Sequence, residues 1–577
     1  MHILGVTSFI HASSAALLID GEIVAAADEE RFTRVKHTGV FPANAIRFCL
    51  QQGGIELDQL DHLAFYWHPW RAVGPRLLQL VSNLPHSLAF FRRQETDAQA
   101  VRGDVGAWLG MVKVGGTLRR ALGVPAARFR RHYIEHHLAH AASCYYPSPW
   151  DDALILSLDG TGEWTTTLLA RGRGQRIEKI QEVVYPHSLG VFYGAATQFL
   201  GYRVYSDEWK VMGLAAYGKP RFADRVRRLI RLHPDGSFRL DLDYFSFQLA
   251  DKRTWYGARF VELFGPPRRA DEPIEDERFA DIAASFQQVT EEIGLGLVRH
   301  LLQVGGGSRK LCLAGGVALN SVLNGKILAE TEIDQLFVQP AANDPGAGLG
   351  AALYLHNAVL KGRRTPTMRH AYLGPEFDAA RMRSALEQRG LEYQRCEDIE
   401  ARTAALLDAG KVVGWFQGRM EYGPRALGNR SILADPRRAE MKDVVNAKVK
   451  FRERFRPFAP SILAERVGEY FEHPSPSPFM IVVLPVRPEK RGAIPAVTHA
   501  DGTGRLQTVE REVNPRYYRL IEAFERCTGV PVIMNTSFNV QGEPIVCTPE
   551  EAVSCYLGSG LDALVLGDLL TSKRGQR

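Results

Sequence analysis

"HILGVTSFIHASSAALLIDGEIVAAAD", residues 2–28, is the stretch whose reading decides the fold. It reads as strand, loop, strand, tight turn, strand. "HILGV", "SAALLI" and "EIVAAA" are apolar runs of strand length. Asp20-Gly21 between the last two is a hairpin signal, because glycine accepts the positive φ that such turns need. The pattern recurs at 153–170, where "ALILSL" is a strand, "DGTGE" a glycine turn and "WTTTLLA" a second strand. Two such units predict an internally duplicated α/β core.

Working outward, "KLCLAGGVALNSVLNGKIL" (310–328) reads as strand, turn and helix, and "NDPGAGLGAALYLHNAVL" (343–360) as a glycine-rich turn running into a helix. The polar, basic, proline-containing "KGRRTPTMRHAYLGPEFD" (361–378) reads as the end of a first domain. Beyond it, "DAARMRSALEQRGLEY" has the apolar spacing of an amphipathic helix, and "KVVGWFQG" (411–418) that of a buried strand. The expected division is residues 1–365 and 366–577. A chain of 577 residues is too long for one core, which agrees with two or three domains.

Composition narrows the function classes. Lys and Arg total 71 against 65 Asp and Glu, a net charge of +6 that is small for this length and gives no ground for a nucleic-acid binder. Seven cysteines, none in a CxxC pair, fit a reducing compartment better than a disulfide framework. "MHILGVTSF" has no basic n-region or long apolar run, so no secretory leader is expected. The apolar stretch "LLQLVSNLPHSLAFF" (77–91) is interrupted by Pro85 and His86 and is too short to span a bilayer. A cytoplasmic protein without a membrane partner is the expectation.

"EHHLAH" (135–140) places His136 and His140 four residues apart, on one face if the segment is helical. That spacing suits two ligands of one ion, and equally core packing or a capped helix end; His137 points elsewhere and reads as structural. Asp159, ending "ALILSLD" before a glycine turn, and Asp344, in "NDPGAG", are placed for an ion or a phosphate. Each also suits a turn or an N-cap. Two imidazoles with two carboxylates would suit Fe(II), Mn(II) or Zn(II) better than magnesium. Gly315 and Gly316 of "AGGVALN" would let the backbone approach a nucleotide, or would simply turn a strand into a helix. "DEERFTRVKH" (28–37) offers Arg31, Arg34 and Lys36 as phosphate partners, or a solvated charged face.

The densest charge lies at 419–456, with eleven Lys and Arg against five Asp and Glu, a surplus equal to the net charge of the whole chain. These cations sit among turns in "GRMEYGPRALGNRS" and "VKFRERFRPFAPS". Preordered arginines of this kind suit a small, highly charged phosphate. Arg505 in "DGTGRLQT" and Asn535, Thr536 and Ser537 in "VIMNTSFN", placed just past a strand, would add to such a cup. A basic surface helix is the competing reading.

Ten segments in order resemble the O-carbamoyltransferases of nodulation-factor and antibiotic biosynthesis, typified by tobramycin and cephamycin carbamoyltransferases. They are "EERFTRVKH", "HHLAHAAS", "LSLDGTGE", "EWKVMGLAAYG", "LAGGVALN", "NDPGAGLGAAL", "GRMEYGPRALGNRSILADPR", "FRERFRPFAPS", "DGTGRLQTV" and "MNTSFNVQGEPIVCTP". The resemblance spans nearly the whole chain. It implies a duplicated actin/sugar-kinase-like N-terminal domain for carbamoyl transfer and a smaller α/β, YrdC-like C-terminal domain that forms carbamoyl-adenylate from carbamoyl phosphate and ATP. The adenylate then passes to a hydroxyl of a small-molecule acceptor.

By the same resemblance, His136, His140, Asp159 and Asp344 are metal ligands, for ferrous iron with manganese or zinc as alternatives and magnesium admitted with ATP. Adenylate contacts fall on Lys36, the turn Asp159, Gly160, Thr161 and Gly162, and on Gly315, Gly316 and Asn320. Carbamoyl-phosphate contacts fall on Arg425, Lys450, Arg456, Arg505 and Ser537. His11 aligns with the family's catalytic histidine, which takes the proton of the attacking hydroxyl. The chain has Ala12 where the family has Asp, and so lacks a carboxylate beside that base. Two alternatives stand beside this reading: a tRNA threonylcarbamoyl-type transferase, and a non-catalytic nucleotide-binding protein on the same fold. A homodimer is compatible with either, and no nucleic-acid partner is expected.

Overall fold

The computed structural model describes residues 1–91, 105–249, 253–269, 271–274, 276–450 and 455–573. The chain forms two compact units, Met1–Glu30 with His37–Met368 and Arg31–Lys36 with Arg369–Arg577. No helix among the described residues is long and apolar enough to cross a membrane.

The first unit holds two five-stranded sheets. One is built from β1 (His2–Thr7), β2 (Ser14–Ile19), β3 (Glu22–Asp28), β4 (His62–Phe65) and β5 (Arg130–Tyr133), in the order β3-β2-β1-β4-β5. The other contains β6 (Asp152–Leu158), β7 (Thr165–Arg173), β8 (Arg176–Val184), β11 (Lys310–Ala314) and β12 (Gln335–Val338), with the hairpin β9 (Ile230–Leu232) and β10 (Phe238–Leu240) apart from it. Its order, β8-β7-β6-β11-β12, repeats the first. The pairing repeats as well: three strands run as an antiparallel meander, and two further strands add in parallel to the first of the three. This is the duplicated actin/sugar-kinase-like core. The central strands β1 and β6 are covered on both faces, which is why they read as near-continuous apolar runs rather than alternating ones.

The structure corrects one element. The glycines of "DPGAGLGAALY" do not form a turn; they lie inside the helix Asp344–Tyr354. A Cβ on Gly350 would stand 1.8 Å from the Ala139 carbonyl oxygen of the helix His136–Tyr145, and one on Gly5 in β1 would stand 2.0 Å from the Gly348 carbonyl oxygen. The glycines therefore serve backbone-to-backbone approach. Ser14 Oγ donates to the Pro345 carbonyl at 2.7 Å and locks the first turn of this helix to β2. The segment "AGGVALN" also differs from its reading. Gly316–Leu319 forms a short 3-10 turn, and the helix Ser321–Glu330 begins after it, capped by the Asn320 side chain.

The second unit is a smaller α/β unit on a nine-stranded mixed sheet. Its strands are β13 (Gln394–Arg395), β14 (Val413–Phe416), β15 (Arg430–Ala434), β16 (Ala459–Leu463), β17 (Val482–Pro485), β18 (Thr503–Val509), β19 (Val532–Ser537), β20 (Ala563–Leu566) and β21 (Leu569–Ser572), in the order β13-β21-β20-β14-β15-β19-β16-β18-β17. Trp415, Tyr517, Ile521, Phe524 and Ile533 centre its core. Asn535 and Ser537 lie within β19, not beyond it, so their side chains are fixed by sheet alternation. Of the basic stretch 448–456, residues 451–454 fall outside the described residues.

Candidate functional site

In the first unit, His136 and His140 occupy one face of the helix His136–Tyr145, and both are fully buried. Asp159 ends the strand region after β6, and Asp344 is the first residue of the helix Asp344–Tyr354. The close helix contact at Gly350 brings these elements together. His136 Nε2 stands 3.0 Å from Asp159 Oδ2 and 3.9 Å from Asp344 Oδ1. His140 Nε2 stands 3.6 Å and 3.8 Å from the same two oxygens and 3.1 Å from His136 Nε2. One ligand atom from each of the four residues lies within 4.8 Å of every other.

Two nitrogen or oxygen ligands bound at about 2.1 Å to one ion stand about 3.0 Å apart at right angles and never more than about 4.2 Å apart. The five spacings that involve an imidazole, 3.0 to 3.9 Å, fall in that range, and the N2O2 donor set suits a first-row transition metal. The cluster is electrostatically hungry for positive charge. Burial opposes charging His140, but the Asp159 and Asp344 carboxylates hold its pKa up at about 9. Burial likewise opposes ionising Asp159, yet His136 and His140 outweigh it and keep the carboxyl well below the usual range. His137 turns away to Ser157, 2.9 Å from Nδ1, and burial keeps it neutral.

Glu163, which the sequence reading passed over at the end of "DGTGE", anchors this site. Its carboxylate accepts from the backbone N–H of His136 at 3.0 Å and of His68 at 2.7 Å. Burial raises its pKa, so the group is held at a cost and fixes the start of the histidine helix. Tyr66 and Trp67 close the side of the site, with ring centroids 5.4 and 5.3 Å from His136.

Apart from Lys36, the adenylate candidates lie in one loop system. Gly316 N donates to Asp159 Oδ1 at 2.9 Å, so the "AGG" turn and the Asp159–Gly162 turn meet at the aspartate. Gly315 has φ 90°, and a Cβ there would stand 2.1 Å from the Leu158 carbonyl oxygen. Ser188 and Gly190, also unremarked in the sequence, pin the turn from behind: Ser188 Oγ donates to the Gly160 carbonyl at 2.6 Å, and a Cβ on Gly190 would meet Asp159 O and Gly160 N at 2.8 Å. Asn320 is engaged locally, capping its helix and exchanging hydrogen bonds with Gln287. Thr161 lies in the same turn. Lys36 is grouped differently; it belongs to the short segment Arg31–Lys36 that counts with the second unit.

That grouping has a physical cause, and it corrects the reading of Arg34 as a phosphate partner. Arg31 Nη2 donates to the Gly423 carbonyl at 2.5 Å, and Arg34 donates to the Ile545 and Pro544 carbonyls at 2.7 and 2.8 Å. The Arg34 guanidinium is committed to backbone and to Glu551, 3.2 Å away, whereas Arg31 Nε and Nη1 are buried with no acceptor among the described residues.

His11 lies in the loop after β1, with Nδ1 3.3 Å from Asp344 Oδ2 and its ring 5.0 Å from that of Tyr205. Asp344 thus faces both the histidine cluster and His11. Ala12 has φ 50°, in the left-handed region, where Asp and Asn are tolerated better than Ala.

In the second unit, all five carbamoyl-phosphate candidates gather at one end of the sheet. Asn535 of β19 pairs with Ala459 of β16, and Ser461 pairs with Gln507 of β18. Residues opposite one another share a face, and so do residues two apart, so Ser537, Asn535, Ala459, Arg505 and Thr503 line one face at one end. Lys450 Nζ bonds Ser537 Oγ at 3.3 Å and Asn539 Oδ1 at 2.7 Å. The loop carrying Arg425 lies over the same face, because Asn535 Nδ2 donates to the Ala426 carbonyl at 3.2 Å and Gln507 Nε2 to the Leu427 carbonyl at 2.9 Å. Arg456 precedes β16 and is buried. Burial pushes the Arg425 guanidinium down to about 10, and among the described residues no carboxylate offsets it.

Glu421 shapes that loop: one carboxylate oxygen accepts from the N–H groups of Leu427, Asn429 and Arg430 at 2.7, 2.8 and 3.1 Å. Arg430, in contrast, is structural. It is fully buried over the Phe416 ring and bonds only carbonyls, among them Gln417 at 2.8 Å. Its charge in the sequence does not belong to the anion site.

Residues 2–353 match the family described as carbamoyltransferase N-terminus, and residues 404–573 match carbamoyltransferase C-terminus. An uncharacterised protein of Synechocystis sp. is 43% identical, over 100% of this chain and 97% of that protein. The nodulation protein NolNO of Sinorhizobium fredii is 39% identical, over 98% of this chain and 80% of its own. The nodulation protein NolO of Bradyrhizobium diazoefficiens is 42% identical, over 76% of this chain and 79% of its own.

Proposed function

The chain belongs to the carbamoyltransferase family, and from that premise we propose that it works in two stages on a hydroxylated small molecule in the cytoplasm. The second unit takes carbamoyl phosphate and ATP and forms carbamoyl-adenylate. The first unit presents that mixed anhydride to an acceptor hydroxyl, leaving a carbamate ester and AMP. What carries the reading is the contrast between two sites: a sheet end carrying Arg425, Lys450, Arg456 and Arg505, and a buried cluster of two imidazoles and two carboxylates.

Each residue has a task in this scheme. The cations of the second unit bind and orient the donor phosphate, and Ser537, held by Lys450, supplies a hydroxyl beside it. In the first unit, backbone at Gly160 and Gly316 approaches the nucleotide, and burial among Tyr66 and Trp67 excludes water from the anhydride. A ferrous ion, or manganese or zinc, held by His136, His140, Asp159 and Asp344 would supply Lewis-acid polarisation of the adenylate phosphate. His11, whose Nδ1 stands 3.3 Å from Asp344 Oδ2, takes the hydroxyl proton as the nucleophile attacks.

Pyrophosphate release from ATP and carbamoyl phosphate without acceptor tests the scheme. Wild type should release it, Arg505→Ala should not, and His11→Ala should release it while forming no carbamate ester. Equal loss of the signal in both variants refutes the division of labour.

A further inference from the structure

The helix Val73–Ser82 shows its leucines to solvent. Leu77, Leu78 and Val81 lie on one helix face, and Leu84 continues the row past the C-terminus; all four are 56–71% exposed. No residue of this helix is buried. Its inward side is held by a polar group instead. Arg76 Nε donates to the Glu163 carbonyl at 3.0 Å and Nη2 to the Gly162 carbonyl at 3.3 Å, and its guanidinium lies over the Trp164 ring, 5.9 Å from the centroid. The apolar surface continues on both sides. Ser87 Oγ donates to the Leu80 carbonyl at 2.6 Å, which folds the exposed Leu88 back beside the helix. The exposed Trp70 packs edge-on against Trp108, with 5.0 Å between centroids, and so meets the helix Val105–Val112 with its exposed Leu109. A contiguous exposed face of large apolar side chains marks an interaction site.

The surrounding charge is of one sign. Residues 62–134 contain eleven Lys and Arg against three Asp and Glu, a surplus of eight that exceeds the +6 of the whole chain. All three acids fall within 92–104, so 62–91 and 105–134 contain none. Lys113 stands one turn beyond Leu109, whose carbonyl accepts its N–H at 3.0 Å. Arg120 follows two turns later on the helix Val114–Leu122. Both are exposed, and neither makes an ion pair among the described residues.

We propose that this face docks the chain peripherally on an anionic lipid surface. The leucine row enters the boundary between headgroups and acyl chains, Trp70 sits at headgroup level, and Lys113 and Arg120 meet the lipid phosphates. Two other occupants fit less well. A second copy of the chain would bring these cations toward their own images across a twofold axis. The intervening residues 92–104, "RRQETDAQAVRGD", offer Val101 as their one large apolar side chain to set against a row of leucines. The stretch 77–91 is too short to span a bilayer, but a helix that lies in the plane of the surface needs no such length.

Flotation of the full chain with vesicles of equal parts phosphatidylglycerol and phosphatidylcholine tests this. Wild type should float with them and should bind pure phosphatidylcholine more weakly. Leu77→Gln combined with Leu78→Gln keeps good helix formers at two exposed positions and should weaken binding at least about tenfold. Lys113→Gln, outside the leucine helix, should weaken binding to the anionic vesicles about fivefold. The urea midpoints of both variants should match wild type, since none of the three side chains is buried. Wild type that stays unbound, or a leucine variant that floats as wild type does, overturns the proposal. So does a wild-type dimer in sedimentation that the leucine substitutions dissociate, which would assign the face to a second copy.

Discussion

Gly350→Ala tests how the fold builds the histidine–carboxylate cluster. The new methyl would lie 1.8 Å from the Ala139 carbonyl oxygen, against a carbon contact distance of about 3.5 Å, so the helix Asp344–Tyr354 has to back off or tilt by about 1.5–2 Å. Alanine returns about 1 kcal/mol of helix propensity. Overpacking against a backbone that cannot rotate away costs at the upper end of about 1–3 kcal/mol or more, for a net loss of about 2 kcal/mol. The geometric effect is larger than the energetic one. Asp344 Oδ1 is 3.8 Å from His140 Nε2, and an opening of even about 1 Å exceeds the ~4.2 Å that two ligands of one ion can span. The urea midpoint should therefore fall modestly, whereas iron bound after anaerobic reconstitution at limiting metal should fall tenfold or more. Gly116→Ala is the control: nothing lies within 4 Å of its Cβ, so it should gain up to about 1 kcal/mol and keep full iron. If Gly350→Ala matched the control in both measurements, the close helix approach would not be what assembles the cluster.

Four further outcomes are expected. His140→Ala, which removes one imidazole and leaves Asp159 and Asp344 in place, should bind iron at least tenfold more weakly in a chelator competition. Arg425→Ala removes a guanidinium with no offsetting carboxylate among the described residues; it should abolish carbamoyl-phosphate-driven pyrophosphate release while costing little thermal stability. Ala12→Asp places a residue better suited to φ 50° and a carboxylate beside His11; it should alter KM or kcat for the acceptor in transfer assays and leave pyrophosphate release unchanged. His62 and His132, 3.1 Å apart, both have pKa values lowered chiefly by burial, so the unfolded chain binds protons first as pH falls below about 6.5. Their contribution is present above that pH and lost below it, and His62→Gln should flatten the fall in urea midpoint between pH 7.5 and 5.5.

The duplicated core was legible because a hairpin signal and strand-length apolar runs are local, and residues 2–28 and 153–170 carry both. The glycines of 344–354 misled for a reason: sequence shows that a Cβ is missing but not what occupies its place. Here that is another helix's backbone, so residues that elsewhere break helices stand inside one. The roles of Glu163 and Glu421 were hidden in a similar way. Each accepts backbone N–H groups, and backbone donors have no sequence signature. Arg34 and Arg430 show the limit of counting charge. A guanidinium that serves carbonyls and one that awaits an anion are the same letter, and only burial against specific partners separates them.

On the proposed scheme, the two sites would also explain why one chain carries both units. On that scheme carbamoyl phosphate brings a dianion, and the second unit would meet it with Arg425, Lys450, Arg456 and Arg505, at the cost of a guanidinium that burial pushes down to about 10 at Arg425. A site of that sign would repel a metal ion. The first unit has the opposite bias, with the buried Asp159 and Asp344 strong enough to draw a proton onto His140 up to about pH 9. A site of that sign would repel free phosphate yet attract a cation that can bridge to one. Anhydride formation and anhydride use thus ask for opposite fields, and low-dielectric burial sharpens both. Merging them would neutralise each. It follows that charge-reversing substitutions should not compensate across the units: Arg505→Glu combined with Asp344→Arg should lose donor activation and metal binding together, with no recovery of either relative to the single variants.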